Sequence, residues 1–283
     1  MTEHPITFGV SADPSVAALR ETRNLARLAE ETGLEHLAFQ DHPYQPTHLD
    51  AFTLIGRLSA ETTRLRFLTD VADMQLRPPV MLAKTAASLH ALTGGRLTLG
   101  VGAGGIPDAI NSMGGTGRTG NGLVTYAESS LLTLRRALRG GPVLPPNARQ
   151  PYAAGPSAPM PIWLGSQKPR MLALTGRLAD GWISPLNIYV PPAEVPSRQR
   201  LIDEAAVAAG RDPREIRRIY NVIGTIGASG GGPGLNGGVR EWIDTLGTWR
   251  DELGFDTFIF WPVGDTLRQV EKFATEIAPE VRR

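Results

Sequence analysis

The sequence predicts one domain of the α/β class, a (β/α)8 or TIM barrel spanning residues 1–283 with only short insertion segments. Three observations carry that prediction. Short runs rich in Val, Ile, Leu and Phe alternate strictly with amphipathic stretches, and near-continuous apolar runs are what parallel strands look like when both faces are covered. The 283 residues suit a barrel, which typically takes about 250. The chemically unusual residues fall just after strands, at the end where the βα loops of such a barrel gather. Right-handed crossovers either wind an open sheet or close a barrel, and eight units in this length favour closure.

The first strand is expected at Ile6–Ser11, followed by a helix over about Ser15–Thr32 that stops at Gly33. Val16, Leu19, Leu25, Leu28 and Ala29 make one stripe of that helix, with Arg20, Glu21, Arg23, Arg27 and Glu31 facing away. The second unit pairs a strand at Leu37–Gln40 with a helix near Asp50–Glu61. The third runs Arg66–Ala72 and then a helix at Pro78–Leu92, with prolines at its start and Gly94-Gly95 at its end. Leu97–Gly102 is the fourth strand, separated by a glycine-rich loop (Gly114–Gly122) from a helix near Val124–Leu138. A Pro-rich link, Gly141–Pro161, precedes the fifth strand, Ile162–Gly165, and its helix, Pro169–Leu178. The sixth strand is Gly181–Ser184, with a helix near Ala193–Ala209. Ile216–Ile226, the flexible stretch Gly227–Gly238 and a helix over about Val239–Leu253 form the seventh unit. Thr257–Trp261 and Thr266–Ile277 form the eighth.

Composition removes several function classes. The net charge of +1 comes from 29 basic and 28 acidic residues scattered along the chain, so there is no basic face of the kind nucleic acid needs. With no cysteine, disulfides, thiolate catalysis and Cys-ligated metal centres are excluded. No apolar run approaches the roughly 20 residues of a membrane span, and the N-terminus lacks a signal-peptide pattern. The expectation is a cytoplasmic protein acting on a small molecule, without nucleic-acid or membrane partners.

After the second strand comes Gln40-Asp41-His42-Pro43, and His42 is the one histidine directly following a strand. An imidazole there suits acid–base work near neutral pH, with Asp41 orienting it or meeting a ligand hydroxyl. Asp70-Val71-Ala72-Asp73 lies at the end of the third strand; a carboxylate at a barrel mouth must be solvated or paired, and Arg77 is a nearby partner. Gly100-Val101-Gly102-Ala103-Gly104-Gly105 ends the fourth strand, giving backbone that can approach an anion closely. It fits G-x-G-x-x-G but lies in the fourth unit with no acid about 20 residues on, so a dinucleotide fingerprint is rejected. Gly165-Ser166-Gln167-Lys168-Pro169 opens a helix and suits either a phosphate or ordinary capping. Trp182 and Trp261 end the sixth and eighth strands; each indole either packs in the core or lies against a planar ligand. His42, His48, Asp50 and Asp70 would be the metal ligands of a barrel hydrolase, but histidines at later strands are missing.

In order along the chain, these segments resemble the bacterial luciferase-like superfamily of flavin- and F420-dependent oxidoreductases. The resemblance rests on Glu31–Leu37 leading to Asp41-His42, on Arg77-Pro78-Pro79-Val80 with Leu82-Ala83-Lys84, and above all on Thr93–Gly104. Pro161–Gly165 and Leu178–Trp182 complete it. It implies an oxidoreductase, monooxygenase or dehydrogenase, using reduced FMN or F420, with both coenzymes left open. It further implies His42 as the acid–base group and cofactor contacts from Asp41, Asp70, Val71, Gly102, Ala103, Gly104, Gly165, Ser166, Gln167 and Trp182. No metal is implied. A non-prolyl cis peptide at Asp70–Val71, a homodimer and a separate reductase supplying reduced coenzyme also follow from the resemblance. Some F420-dependent relatives carry a glutamate where this chain has Gly105, which argues against the same substrate. The lid insertion, limited to about Gly141–Pro161, reads as short. A non-catalytic flavin-binding barrel and a metal-dependent hydrolase are the alternatives.

Overall fold

The computed structural model describes residues 4–141, 158–227 and 232–283. The strands are β1 (Thr7–Ala12), β2 (His36–Phe39), β3 (Arg66–Thr69), β4 (Ala72–Asp73), β5 (Leu97–Gly102), β6 (Ile162–Gly165), β7 (Gly181–Ser184), β8 (Arg217–Ile226), β9 (Leu235–Gly237) and β10 (Thr257–Pro262). Their order is β10-β1-β2-β3-β5-β6-β7-β8, and β8 pairs with β10 to close the ring. Every ladder in it is parallel. This is the eight-stranded barrel the sequence predicts.

The third barrel strand is the one that departs from expectation. The run Arg66–Ala72 is split into β3, which pairs with β2 and β5, and β4, which pairs with β5 alone. The break falls at Asp70–Val71, whose peptide bond is cis, as the resemblance implied. β9 is a short extension beside β8, inside the stretch expected to be irregular.

Helices α1 (Leu19–Thr32), α2 (Ala51–Ser59), α3 (Pro79–Leu92), α4 (Pro107–Ser112), α5 (Gly120–Leu138), α6 (Pro169–Leu178), α7 (Val195–Ala208), α8 (Val239–Asp251), α9 (Thr266–Lys272) and α10 (Ala278–Val281) surround the barrel. Local chemistry sets several ends. Gly33, at φ +80°, closes α1 with its N–H on the Ala29 carbonyl. The Asp50 carboxylate caps α2 by accepting from Thr53 N–H. Two differences stand out: α4 was not expected, and α5 begins at Gly120 inside the predicted glycine-rich loop. The Pro-rich link lies mostly in 142–157, outside the described residues, as does 228–231.

Strand alternation divides the core in two. Outward residues, among them Phe8, Leu37, Phe39, Phe67, Leu99 and Phe258, pack against the helices. Inward residues Ala38, Leu68, Trp163, Ile183, Ile219 and Ile259 fill the barrel, and Val71 and Trp261 pack on this plug from above. The plug is tight: a Cβ at Gly100 would lie 1.9 Å from the Thr69 carbonyl oxygen, so only glycine fits there. No helix among the described residues is long and apolar enough to cross a membrane.

Candidate active site

Above the plug, the strand ends present a polar layer built around Asp70 and Asn221. Asp70 is 8% exposed. Its Oδ1 accepts from the Asn221 amide at 3.3 Å, and Oδ2 has no partner among the described residues. The same amide donates to the Ser184 carbonyl at 3.2 Å, and Asn221 Oδ1 accepts from Trp261 Nε1 at 2.9 Å. Burial pushes the Asp70 carboxyl up to about 7, opposed only by the Asn221 hydrogen bond.

Beside Asp70, Val71 stands over bare backbone. A Cβ at Gly102 would fall 2.6 Å from Val71 Cγ2, and one at Gly165 would fall 3.1 Å from Val71 Cγ1. Gly102 and Gly165 are register partners in β5 and β6, so the loops that follow them run side by side. The backbone N–H groups of Ala103, Gly104 and Gly105 make no hydrogen bond among the described residues. Gly104 holds φ +89°, and a Cβ there would meet Gln75 Nε2 at 2.6 Å and Asp73 Oδ1 at 2.9 Å. That Gln75 amide nitrogen is buried and unpartnered.

Ser166 does not cap α6. Its hydroxyl bonds Thr175 Oγ1 at 2.8 Å, and the N-cap position, Lys168, makes no side-chain cap. The Gln167 amide donates to the Tyr189 carbonyl. What this loop offers an anion is therefore the uncapped end of α6 and its backbone dipoles, not the serine hydroxyl. Trp182 requires a correction. It faces outward from the barrel, fully buried, with its ring 6.1 Å from Phe255 and its N–H donated to the Ser166 carbonyl. It supports the Ser166 loop and does not line the mouth.

Asp41 is held in an ion network. Its two oxygens receive Arg77 Nε and Nη2 at 2.6 and 2.7 Å, and Arg77 also reaches Asp50 at 2.6 Å. Asp41 thus anchors the β2 loop through Arg77. Arg77 serves Asp41 and Asp50, not Asp70. His42 is half-buried, with its ring stacked 5.4 Å from Tyr44 and 6.3 Å from His48. Burial holds its imidazole below the usual histidine range, His48 adds to that, and Asp41 opposes it. Of the four groups of the metal reading, Asp50 and Asp70 are engaged as described, and no group of three His, Cys, Asp or Glu among the described residues is placed to hold a metal.

On the other side of Trp261 a pocket of about 440 Å³ opens between β1, β2, β10 and α1, lined by Ser11, Asp13, Glu21, Gln40, Ile223 and Trp261 among others. The mouth thus has two halves. One is glycine backbone under Val71, the other a small polar pocket, and Asp70, Asn221 and Trp261 lie between.

Sequence reasoning missed Asn221, Gln75, Ser11 and Gln40. Asn221 left a signal: it is the single amide in the apolar run Ile219–Ile226, and a buried amide demands partners.

Comparison with known proteins bears on what this mouth holds. The luciferase-like monooxygenase family matches residues 3–229.

The chain belongs to that family.

It is 29% identical over 219 residues to a 5,10-methylenetetrahydromethanopterin reductase of Methanolobus tindarius, covering 75% of this chain and 63% of the reductase. The chain therefore spans somewhat less than two thirds of that relative. Its fold matches an F420-dependent secondary alcohol dehydrogenase in complex with an F420-acetone adduct, at TM-score 0.84 with 16% identity, covering 99% of this chain and all of that one. It also matches the oxygenating constituent of 3,6-diketocamphane monooxygenase of Pseudomonas putida in complex with FMN, at TM-score 0.79 with 14% identity over 98% of this chain and 99% of that one. Proteins of this fold thus include ones whose solved structures hold F420 or FMN.

The residues present fit such a coenzyme. A planar ring needs a bare, apolar seat, which Val71 over Gly102 and Gly165 supplies. An anionic tail needs free donors, which the Ala103–Gly105 amides supply.

Proposed function

We propose that this protein is an oxidoreductase that uses reduced FMN or F420 on a small organic substrate. The observation that carries the reading is the side-by-side pair of strand-ending glycines, Gly102 and Gly165, under Val71, backed by membership of the family. Val71, Gly102 and Gly165 would seat the ring; Ala103, Gly104 and the uncapped start of α6, with Ser166 and Gln167 shaping its approach, would hold the phosphate. The bound coenzyme supplies hydride or oxygen chemistry, while the chain binds, orients and excludes water.

His42, neutral at physiological pH, would accept a proton from substrate or coenzyme; the Asp41–Arg77–Asp50 network fixes the loop that carries it. The pocket beside Trp261 would take the substrate. We further propose a cytoplasmic homodimer fed with reduced coenzyme by a separate reductase.

The test mixes the protein with reduced F420 or reduced FMN, without oxygen, against a panel of ketones, imines and enones, and then with oxygen. One arm should show coenzyme reoxidation well above that of free coenzyme. Reoxidation no faster than free coenzyme in every arm would overturn the reading.

A further inference from the structure

Any transfer of a hydride to a carbonyl or imine carbon leaves a heteroatom that must take up a proton, and the mouth has few groups to give one. The β5 loop, Gly102–Gly105, carries no ionisable side chain. Asp41 is committed to Arg77, and Asp73 Oδ1 accepts from the N–H of Gln75 and of Leu76. Asp70 is different: among the described residues no cation pairs with it, and one carboxyl oxygen is buried without a partner. An orphaned buried oxygen is costly unless something completes it.

We propose that the Asp70 carboxyl is the group that gives a proton to the substrate heteroatom, a role distinct from that of His42 as acceptor, and that it is aimed by Asn221, which Trp261 in turn holds. The inference rests on the oxidoreductase reading. In the reducing direction, where a bound reduced coenzyme would supply the hydride to the substrate carbon, Asp70 would give its proton to the attached oxygen or nitrogen. Asp70 is left as a carboxylate accepting from Asn221 and is reprotonated from solvent. Alcohol oxidation runs the same steps backward, the coenzyme being reduced.

Three features of the geometry suit that role. Asp70 directly precedes Val71 in the chain and is tied to the pocket wall through Asn221, whose oxygen holds the Trp261 indole. Asn221 is locked on both sides, its amide on Asp70 and the Ser184 carbonyl and its oxygen on the Trp261 N–H. The charge environment is quiet: β1 brings Ser11, β5 and β6 bring glycines, β7 a carbonyl, β8 Asn221 and β10 Trp261. Asp73 on β4 and Asp41, His42 and Arg77 around the β2 loop are the charged or titratable groups at this end of the neighbouring strands, and none of them is a cause of the Asp70 shift. A carboxyl raised to about 7 by burial is matched to proton transfer near neutral pH.

The experiment follows the side-chain carboxyl of Asp70 by 13C NMR in the full chain labelled at aspartate, with Asp70→Asn identifying the resonance. Its midpoint should lie near 7, and Asn221→Leu should raise it, because the amide favours the charged form. A midpoint in the ordinary carboxylate range overturns the inference. Should Asn221→Leu fail to fold, Trp261→Phe releases the same amide and should move the midpoint; an unmoved midpoint overturns the aiming role.

Urea unfolding gives an independent reading. The folded value lies above the unfolded one, so wild-type stability should fall as pH rises from about 4 to 7 and then level off. Asp70→Asn should not show this fall; parallel profiles overturn the inference.

Coenzyme dissociation constants measured across the same range separate the two claims. If neither protein binds F420 or FMN, the oxidoreductase reading fails. If both bind and Asp70→Asn turns over within a few-fold of wild type, this inference alone fails. The expected result is binding retained, with turnover lost by about 10²-fold or more and a pH inflection in wild-type affinity that Asp70→Asn lacks.

Discussion

Replacing Arg77 with methionine tests the ion network under the His42 loop. Arg77 has 19% of its side chain exposed and Asp41 1%, so the variant strands a carboxylate with almost no access to water. Methionine keeps much of the stem that packs over the Phe52 ring, whose centroid lies 4.6 Å from the guanidinium carbon. The loss is therefore mainly electrostatic. Removing one partner of a buried pair costs about 3–5 kcal/mol. The Asp50 arm adds little, since Asp50 is 44% exposed and half-exposed pairs contribute roughly 0–1 kcal/mol. The lower end of that range corresponds to a fall in Tm of roughly 6–12 °C for a chain of this size. Urea unfolding at pH 7 with calorimetry measures it. Adding Asp41→Asn to Arg77→Met should recover most of the loss, because the stranded charge is then gone. A loss below about 1 kcal/mol, or a double variant no more stable than the single one, would refute the reasoning.

His42→Ala should keep coenzyme affinity within a few-fold yet slow turnover by about 10²-fold or more; unchanged turnover removes His42 from the chemistry. Gly104→Ala forces a side chain into a left-handed backbone position, with its Cβ 2.6 Å from Gln75 Nε2. It should lower stability by more than about 1 kcal/mol and weaken coenzyme binding, both read by titration and urea unfolding. Glu30 accepts from Thr63, Arg64 and Leu65 N–H groups, and its carboxyl falls from its ordinary 4.5 to about 2. A lowered acid stabilises the fold above its unfolded value and loses that effect as pH drops toward 2. Glu30→Gln should thus narrow its gap from wild type over that interval, and a gap independent of pH would contradict the assignment.

The barrel was legible in the sequence because apolar runs covered on both faces, broken by Gly and Pro, leave a strong periodic trace. The glycines that end β5 and β6 were legible for the same local reason. Side-chain parity was not. Trp182 sits in a run that is apolar inside and out, so nothing in Gly181–Ser184 tells which residue faces the barrel; the structure turns Gly181 and Ile183 inward and Trp182 outward. Pairing was not legible either. Arg77 has Asp41, Asp50, Asp70 and Asp73 within reach along the chain, and only the folded arrangement of the β2 loop and α2 selects the first two. Asn221 lies 151 residues from its partner Asp70, a separation no local pattern bridges.

Equilibrium titration of the protein with F420 and with FMN, each oxidised and reduced, followed by coenzyme fluorescence, tests the central claim most directly. The account predicts saturable binding of at least one of them, weakened when Gly102 is replaced by valine, which would push the Val71 side chain off its seat on the β5 backbone. Failure of all four forms to bind, or binding untouched by that substitution, would contradict it.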